Sequence, residues 1–186
     1  MIITITGTPG SGKSTLAKRL AERLGFERHY IGGIRREVAR RHGMTLEELN
    51  ATGEREAWTD HEVDEFVREL GTRGKNMIIE SRTGFFLIPQ SLKVFIDVDL
   101  PVGAERVFRE LQADPDKRNE GAGLDSIEAV RLSHERRRNS DAVRYQRYYG
   151  VDYSDPKHFD LILNTTNLTV DQAFAQLHDF VSQHLG

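Results

Sequence analysis

The chain has 186 residues, a formal net charge of −3 and no cysteine. This length suits one domain, 1–186, with a sizeable buried core, and the lack of cysteine excludes disulfides and thiolate metal sites. A general nucleic-acid-binding protein needs a strong positive excess to neutralise phosphates, so the acidic balance argues against that role.

The apolar runs are too short for a membrane span. The longest one after the N-terminus is Phe85 to Ile88, whereas a membrane helix needs roughly 20 apolar residues. Met1 leads directly into the apolar residues Ile2, Ile3 and Ile5, so we expect no targeting segment. We therefore expect a cytoplasmic, monomeric protein without membrane or nucleic-acid partners.

The first part of the chain alternates strand and helix patterns and then becomes wholly helical. Continuous apolar residues indicate strands, and leucines at every fourth position indicate a helix. Two helix starts carry a capping-box pattern, Thr45 with Glu48 and Thr59 with Glu62. The predicted elements are strands at 2–6 and 28–31, a helix at 13–24, and helical pieces at 34–41, from Thr45 and from Thr59.

The second part of the chain returns to alternating strands and helices. Proline at 101 suits the first turn of a helix, and Thr169 with Gln172 forms a third capping-box pattern. From the final helix we expect Val170, Phe174, Leu177 and Val181 to point inward. The predicted elements are strands at 76–80, 92–98 and 161–164, helices from Pro101, over 126–148 and from Thr169, and a mobile loop at 112–124.

This order of elements predicts the fold class. Strands that alternate with helices favour an α/β architecture, a three-layer doubly wound parallel sheet of about five strands with right-handed crossovers. The wholly helical stretch 33–71 and the helix from 126 are predicted to be excursions from that core.

The first predicted strand runs into GTPGSGKST, which matches the phosphate-binding pattern G-x-x-x-x-G-K-[ST] between a strand and a helix. Glycines let backbone N–H groups turn toward a phosphate, and the helix N-terminus adds partial positive charge. The pattern is typical of P-loop NTPases. We expect Lys13 to act in catalysis by bridging the β- and γ-phosphates, and Ser14 to ligate Mg²⁺. The residues predicted to bind ATP are Gly7, Thr8, Pro9, Gly10, Ser11, Gly12, Lys13, Ser14 and Thr15.

The phosphate loop indicates a nucleoside triphosphate but leaves the reaction open. The guanine-reading motif N-K-x-D and the switch motif D-x-x-G of GTPases are not recognisable, and motor or AAA-type ATPases are usually longer. The sequence therefore favours a small-molecule kinase. A nucleic-acid-binding NTPase and a protein that binds nucleotide without turnover remain open alternatives.

Two arginines are placed to bind the phosphate of an acceptor. Arg82 follows the strand that ends at Glu80, and ligands of doubly wound sheets bind at the carboxyl ends of strands. Arg36 lies near the start of the first excursion helix, with Arg35 and Arg40 as alternatives. Arginine suits this role because its fork donates hydrogen bonds to phosphate in pairs.

Two carboxylates compete for a role at the metal. Glu80 could orient Mg²⁺ through water, and Asp97, at the end of the strand VFID, is its rival. We favour Glu80 because Arg82 places that strand end at the site. A structural role for Glu80, in which it binds loop N–H groups, stays open.

Four segments together resemble the cytidylate kinases, and most closely the shorter, archaeal-type members of the nucleoside monophosphate kinases. They are GTPGSGKST, GGIRREVARRHGMTLEELN, MIIESR and ERRRNSDAVRYQRYYGVD. The resemblance covers nearly the whole chain. The phosphate loop is generic, whereas its combination with R-x-x-x-D-x-x-R near the C-terminus is more specific.

The resemblance implies transfer of the ATP γ-phosphoryl group to CMP or dCMP with Mg²⁺. It implies that Arg36 and Arg82 hold the acceptor phosphate, that 33–71 forms a monophosphate-binding lobe, and that a lid lies near 112–137. Another acceptor, such as UMP, AMP or a non-nucleotide alcohol, stays open as an alternative.

The chain departs from the family pattern after its third predicted strand. Members often carry D-G-R there, and bacterial members D-G-R-D, whereas this chain has Glu80-Ser81-Arg82-Thr83. A second carboxylate is therefore missing from this segment, which weakens a detailed assignment of the metal ligands and of sugar recognition.

The segment His134 to Gly150 contains five arginines and three tyrosines. At about 100° per residue, a helix would place Arg137, Asp141 and Arg144 within about 60° of each other on one face. The arginines expected on solvated flanks are Arg136, Arg138 and Arg147.

Two interpretations of this face stay open. The plain one is an Arg–Asp pair one turn apart, worth only about 0.2–0.5 kcal/mol. In the functional one, a closing lid delivers Arg137 and Arg144 to the transferred phosphoryl group and excludes water. Asp141 then accepts a hydrogen bond from the exocyclic amino group of cytosine, which uracil lacks.

Overall fold

The computed structural model describes residues 1–113 and 123–185. Its strands are β1 (Ile2–Gly7), β2 (Glu27–Tyr30), β3 (Met77–Glu80), β4 (Leu92–Asp97) and β5 (Leu161–Asn164). Its α-helices are α1 (Lys13–Leu24), α2 (Ile31–Arg41), α3 (Leu46–Gly53), α4 (Trp58–Thr72), α5 (Gly84–Leu87), α6 (Leu100–Ala113), α7 (Ile127–Tyr149) and α8 (Val170–Ser182).

All five strands run parallel, in the order β2-β3-β1-β4-β5. Successive side chains of a strand point to opposite faces of the sheet, so β1 contributes to two separate cores. Ile3 and Ile5 pack with Leu16 of α1 on one face. Ile2 packs with Val67 of α4 on the other. Helices on both faces of a parallel sheet make the three-layer α/β architecture that the sequence predicted.

Most helix boundaries agree with the prediction, and the capping boxes at Thr45 and Thr169 both form. The capping box predicted at Thr59 is wrong. Helix α4 begins one residue earlier, at Trp58, so Thr59 lies inside the helix, where its hydroxyl donates to Asp60 Oδ2 at 3.0 Å. The helix predicted from Ile34 begins at Ile31.

Two apolar segments also differ from the prediction. Val170 was expected to point inward but is 51% exposed, because Ala173 takes the inward position in the first turn of α8. The run that contains Phe85 forms the short helix α5 after β3, an element that the sequence did not predict.

The predicted loop 112–124 and lid 112–137 are covered only in part. Residues 114–122 lie outside the described residues, on the N-terminal side of Ser126, which caps α7 through a hydrogen bond from Ala129 N to its hydroxyl. The C-terminal part of the predicted lid is thus the first half of α7. Within the described ranges, no helix has the length and apolar character needed to cross a bilayer.

The sheet brings the phosphate loop beside the end of β3. In the parallel register Ile5 of β1 lies opposite Glu80 of β3, and Gly7 lies opposite Ile96 of β4. The carboxyl ends of these three strands therefore share one edge, where doubly wound sheets bind their ligands.

Candidate active site

A cavity of about 610 Å³ opens at this edge of the sheet. The phosphate loop forms one wall, the end of β3 forms the floor, and α2, α4, α6 and α7 complete the enclosure. The lining residues that sequence reasoning singled out are Gly7, Pro9, Gly10, Gly12, Lys13, Ser14, Thr15, Arg36, Glu80, Arg82, Arg137 and Asp141.

The backbone of the phosphate loop requires glycine at two close approaches. A Cβ on Gly7 would lie 2.0 Å from the carbonyl oxygen of Ile96, and one on Gly10 would lie 2.2 Å from that of Gly103. Gly10 also has a φ of 79°, a conformation that other residues rarely adopt. The loop is thus pressed against β4 and α6, which fixes the direction of its N–H groups.

Two predicted ATP-binding residues, Thr8 and Ser11, do not line the cavity. Both are buried behind the loop, where the Thr8 hydroxyl donates to Asp97 and the Ser11 carbonyl oxygen accepts from Thr165 Oγ1 at 3.0 Å. Lys13 does line the cavity, and its Nζ donates to the Thr8 carbonyl oxygen at 3.4 Å. Asp97, the rival carboxylate for the metal, is therefore engaged in holding the loop.

Glu80 lies at the floor of the cavity with its side chain almost completely buried. Its Oε1 accepts from Arg28 Nε at 2.6 Å, and Arg28 Nη2 lies 2.5 Å from the same oxygen. Its Oε2 is also buried and has no hydrogen-bond partner within the described residues. One oxygen of this carboxylate is thus fixed by Arg28 of the edge strand β2, whereas the other is not.

The two arginines predicted to hold the acceptor phosphate lie on different walls of the cavity. Arg82 Nη1 donates to the carbonyl oxygen of Gly7 at 3.3 Å, so the end of β3 contacts the phosphate loop. Arg36 Nη1 donates to the hydroxyl of Tyr30 at 2.6 Å. The alternatives Arg35 and Arg40 line the same cavity.

Asp141 is buried between two guanidinium groups. Its Oδ2 lies 2.7 Å from Arg82 Nε, and its Oδ1 accepts from Arg144 Nη2. Burial alone would raise the pKa of Asp141, but the charges of Arg82 and then Arg144 outweigh it, and the pKa lies below its ordinary value. Both oxygens of this carboxylate thus already face a cation.

The structure separates the arginines that the sequence placed on one helix face. Arg137 is half-buried and lines the cavity, whereas Arg144 is fully buried and does not line it. Arg144 bridges Asp141 and Asp60 instead. The flank arginines Arg136 and Arg147 are exposed, as expected, but Arg138 is half-buried.

The chain is similar to known proteins over most of its length. Residues 2–167 match the model of the family described as cytidylate kinase-like. The chain belongs to the cytidylate kinase-like family. It is 36% identical to a cytidylate kinase of Methanopyrus kandleri, covering 95% of this chain and 91% of that protein. It is 33% identical to a cytidylate kinase of Natronomonas pharaonis, covering 99% and 91%. These matches confirm the resemblance inferred from the sequence. They also confirm the prediction that the protein is a nucleoside monophosphate kinase.

Solved structures share the fold of this cytidylate kinase-like chain at lower identity. A shikimate kinase from Bacteroides thetaiotaomicron matches with a TM-score of 0.62 and 20% identity, over 98% of both chains. A protein from Eubacterium ventriosum matches with a TM-score of 0.69 and 17% identity, also over 98% of both chains. The predicted P-loop kinase fold is therefore confirmed.

Sequence reasoning missed the acidic residues that α4 brings to the cavity of this family member. Asp60 accepts from Arg35 Nη1 at 2.8 Å and from Arg144 Nη1. Asp64 lines the same cavity. A signal was available: both acids lie on the buried stripe that Val63 and Val67 define, and an acid on an apolar helix face needs a partner.

Asp64 has a different environment from the other two acids. Its Oδ1 accepts from Thr83 Oγ1 at 2.8 Å, and its Oδ2 accepts from the hydroxyl of Tyr149. Burial raises the pKa of Asp64 above its ordinary value, although both hydroxyl groups act in the opposite direction. This carboxylate is held by neutral groups, one from β3 and one from α7.

Proposed function

We propose that the protein transfers the γ-phosphoryl group of ATP to CMP or dCMP, giving CDP or dCDP and ADP. One observation carries the proposal: a continuous cavity joins Lys13 of the phosphate loop to Arg36 and Arg82. Such a cavity can hold a triphosphate and an acceptor phosphate end to end. The names of the archaeal relatives support cytidine as the acceptor nucleoside.

On the donor side, the phosphate loop binds and orients ATP. Its backbone N–H groups and the N-terminus of α1 face the phosphates, and Lys13 adds a full positive charge. Phosphoryl transfer involves little covalent chemistry for the protein, so positioning and charge stabilisation supply most of the rate.

The donor set fits Mg²⁺. The buried Glu80 Oε2 lacks a hydrogen-bond partner within the described residues and belongs to a carboxylate that lines the cavity together with Ser14. Carboxylate, hydroxyl and water oxygens are the ligands that Mg²⁺ takes. We propose that Ser14 holds the ion directly and Glu80 through water. When bound, the ion neutralises charge that develops on the phosphates.

On the acceptor side, we assign three of the arginines that line the cavity to the acceptor phosphate. Arg36, Arg82 and Arg137 come from α2, the end of β3 and α7, and each lines the cavity. We propose that they bind the monophosphate and keep water from replacing it as the acceptor. The helices within 33–71 form the monophosphate-binding lobe in this proposal, and 112–137 forms the lid.

Arg144 takes a positioning role in this proposal. It has no exposed surface and bridges Asp60 of α4 to Asp141 of α7. In this proposal it therefore touches neither the phosphate nor the base of the bound nucleotide. Asp141 in turn holds Arg82. Arg144 and Asp141 thus orient the guanidinium group of Arg82, and Arg144 does not itself bind the acceptor.

A panel of acceptors tests the proposal. Purified protein with Mg-ATP is incubated separately with CMP, dCMP, UMP, AMP and GMP, and the diphosphate product is measured. We expect the highest kcat/KM with CMP or dCMP. Preference for AMP or GMP, or hydrolysis of ATP without a diphosphate product, would contradict it. We also retain, as proposals, a cytoplasmic monomer that does not bind nucleic acid.

A further inference from the structure

Three aspartates line the acceptor side of the cavity, and their charges are compensated unequally. Asp60 contacts the guanidinium groups of Arg35 and Arg144. Asp141 contacts those of Arg82 and Arg144. A carboxylate already engaged by two cations gains little from a further donor on a ligand.

Asp64 lacks such a cation among its bonded partners in the described part of the chain. Its hydrogen bonds come from the hydroxyl groups of Thr83 and Tyr149, and the charge of Arg68 acts on it only as the weakest of several influences. The residue is 3% exposed and lines the cavity. A buried carboxylate with two hydroxyl donors retains about two free lone-pair sites.

The two hydroxyl groups also fix where those sites point. Thr83 ends the segment that follows β3, and Tyr149 ends α7, so Asp64 is held from two sides while it projects from α4. The segment after β3 itself lacks a second carboxylate. Asp64 of helix α4 lies beside this segment, with its Oδ1 2.8 Å from Thr83 Oγ1.

We propose that Asp64 determines the acceptor base by accepting a hydrogen bond from the exocyclic amino group of cytosine. This role was predicted for Asp141, whose charge is instead compensated by Arg144, which donates to Oδ1, and by Arg82, whose Nε lies 2.7 Å from Oδ2. The proposal rests on the proposed function, since it assumes a nucleoside monophosphate in this cavity.

The chemistry discriminates between two pyrimidines of the same size. Cytosine carries an amino donor at C4, which a carboxylate accepts, whereas uracil carries a carbonyl oxygen there. In a buried site, a carboxylate oxygen that faces the carbonyl oxygen of uracil makes no hydrogen bond to it and is repelled by it. We expect this contact to favour CMP over UMP by at least about tenfold in kcat/KM.

The test compares kcat/KM for CMP and for UMP in four proteins: wild type, Asp64→Asn, Asp141→Asn and the control Asp179→Asn, whose side chain is 77% exposed. An asparagine can donate to the C4 carbonyl of uracil. We therefore expect Asp64→Asn to lower the CMP-to-UMP ratio by at least about tenfold. Asp141→Asn should lower both values together, and the control should change neither.

An unchanged CMP-to-UMP ratio in Asp64→Asn would overturn the proposal, whether both activities stay constant, both fall equally, or the ratio falls in Asp141→Asn instead. If the wild type made no CDP, the proposed function would fail as well, so the two failures are distinguishable. Should Asp64→Asn not fold, a crystal structure of the wild type with CMP decides. N4 within about 3.2 Å of an Asp64 oxygen supports the proposal, and N4 bonded elsewhere contradicts it.

Discussion

Arg82 Nε lies 2.7 Å from Asp141 Oδ2, and this contact joins the end of β3 to the middle of α7 at the wall of the cavity. The same aspartate is bonded to Arg144, which reaches on to Asp60 of α4. The guanidinium group of Arg82, which we propose binds the acceptor, is thus oriented by a buried network that spans three elements. Truncating one member of such a network leaves its neighbours charged and buried without that partner.

The Asp141→Asn variant should lose stability at neutral pH, because Arg82 and Arg144 would remain charged in a buried site without their shared carboxylate. We expect the free energy of unfolding to fall by about 3–5 kcal/mol at pH 7, measured by urea titration. Asp179→Asn, on the exposed surface of α8, should change it by less than about 0.5 kcal/mol.

The pH dependence of that loss has a definite sign. The folded-state pKa of Asp141 lies below its ordinary value. Its stabilising contribution is therefore fully present above about pH 3.9 and disappears as the pH falls through the folded-state pKa. The difference in the free energy of unfolding between wild type and Asp141→Asn should therefore shrink in acid. A difference that grew in acid would contradict the ion-pair network.

Truncation of Arg144 should mainly lower stability, and truncation of Arg137 should mainly lower kcat, although the sequence placed both on one helix face. Arg144→Ala empties a buried position between two aspartates, so the free energy of unfolding should fall by about 3 kcal/mol or more. Arg137→Ala should change it by less than about 1 kcal/mol while kcat falls by about 100-fold. Thermal unfolding and steady-state kinetics of both variants make the comparison, and equal effects on Tm would refute this separation.

Lys13→Ala should abolish phosphoryl transfer and leave the fold intact. Lys13 lines the cavity, and in the proposed function its charge serves the phosphates of ATP. We expect kcat to fall by about 100-fold or more, while the circular dichroism spectrum and Tm stay near those of the wild type. Normal turnover in this variant would contradict the proposed role of Lys13 in phosphoryl transfer.

Arg28→Ala should weaken the binding of the divalent cation. Arg28 holds one oxygen of Glu80, and without it the carboxylate can turn away from the cavity. Because partners that orient a metal-binding group usually contribute 10–100-fold to affinity, we expect about a tenfold weaker Mn²⁺ affinity in the presence of ADP, measured by electron paramagnetic resonance. Arg23→Ala, at the exposed end of α1, is the matched control. Unchanged affinity in Arg28→Ala would argue that Glu80 does not serve the metal.

The features that the sequence by itself determined are local ones. The phosphate loop, helix α1 and the capping boxes at Thr45 and Thr169 depend on residues a few positions apart, whose spacing can be read directly. The parallel sheet also followed from the sequence, because buried parallel strands appear as continuous apolar runs. Thr59 shows the limit of such reasoning, since its capping pattern is present but the residue lies inside α4.

The partners of the charged residues were decided only by the tertiary structure. Arg28 meets Glu80 from 52 positions away, and Arg144 meets Asp60 from 84. Helix periodicity could place Arg144 beside Asp141, but it could not show that Asp60 of α4 binds Arg144, which is fully buried and does not line the cavity. The physical reason is that a carboxylate or guanidinium takes its role from whatever the fold buries against it, and the local sequence does not contain that information.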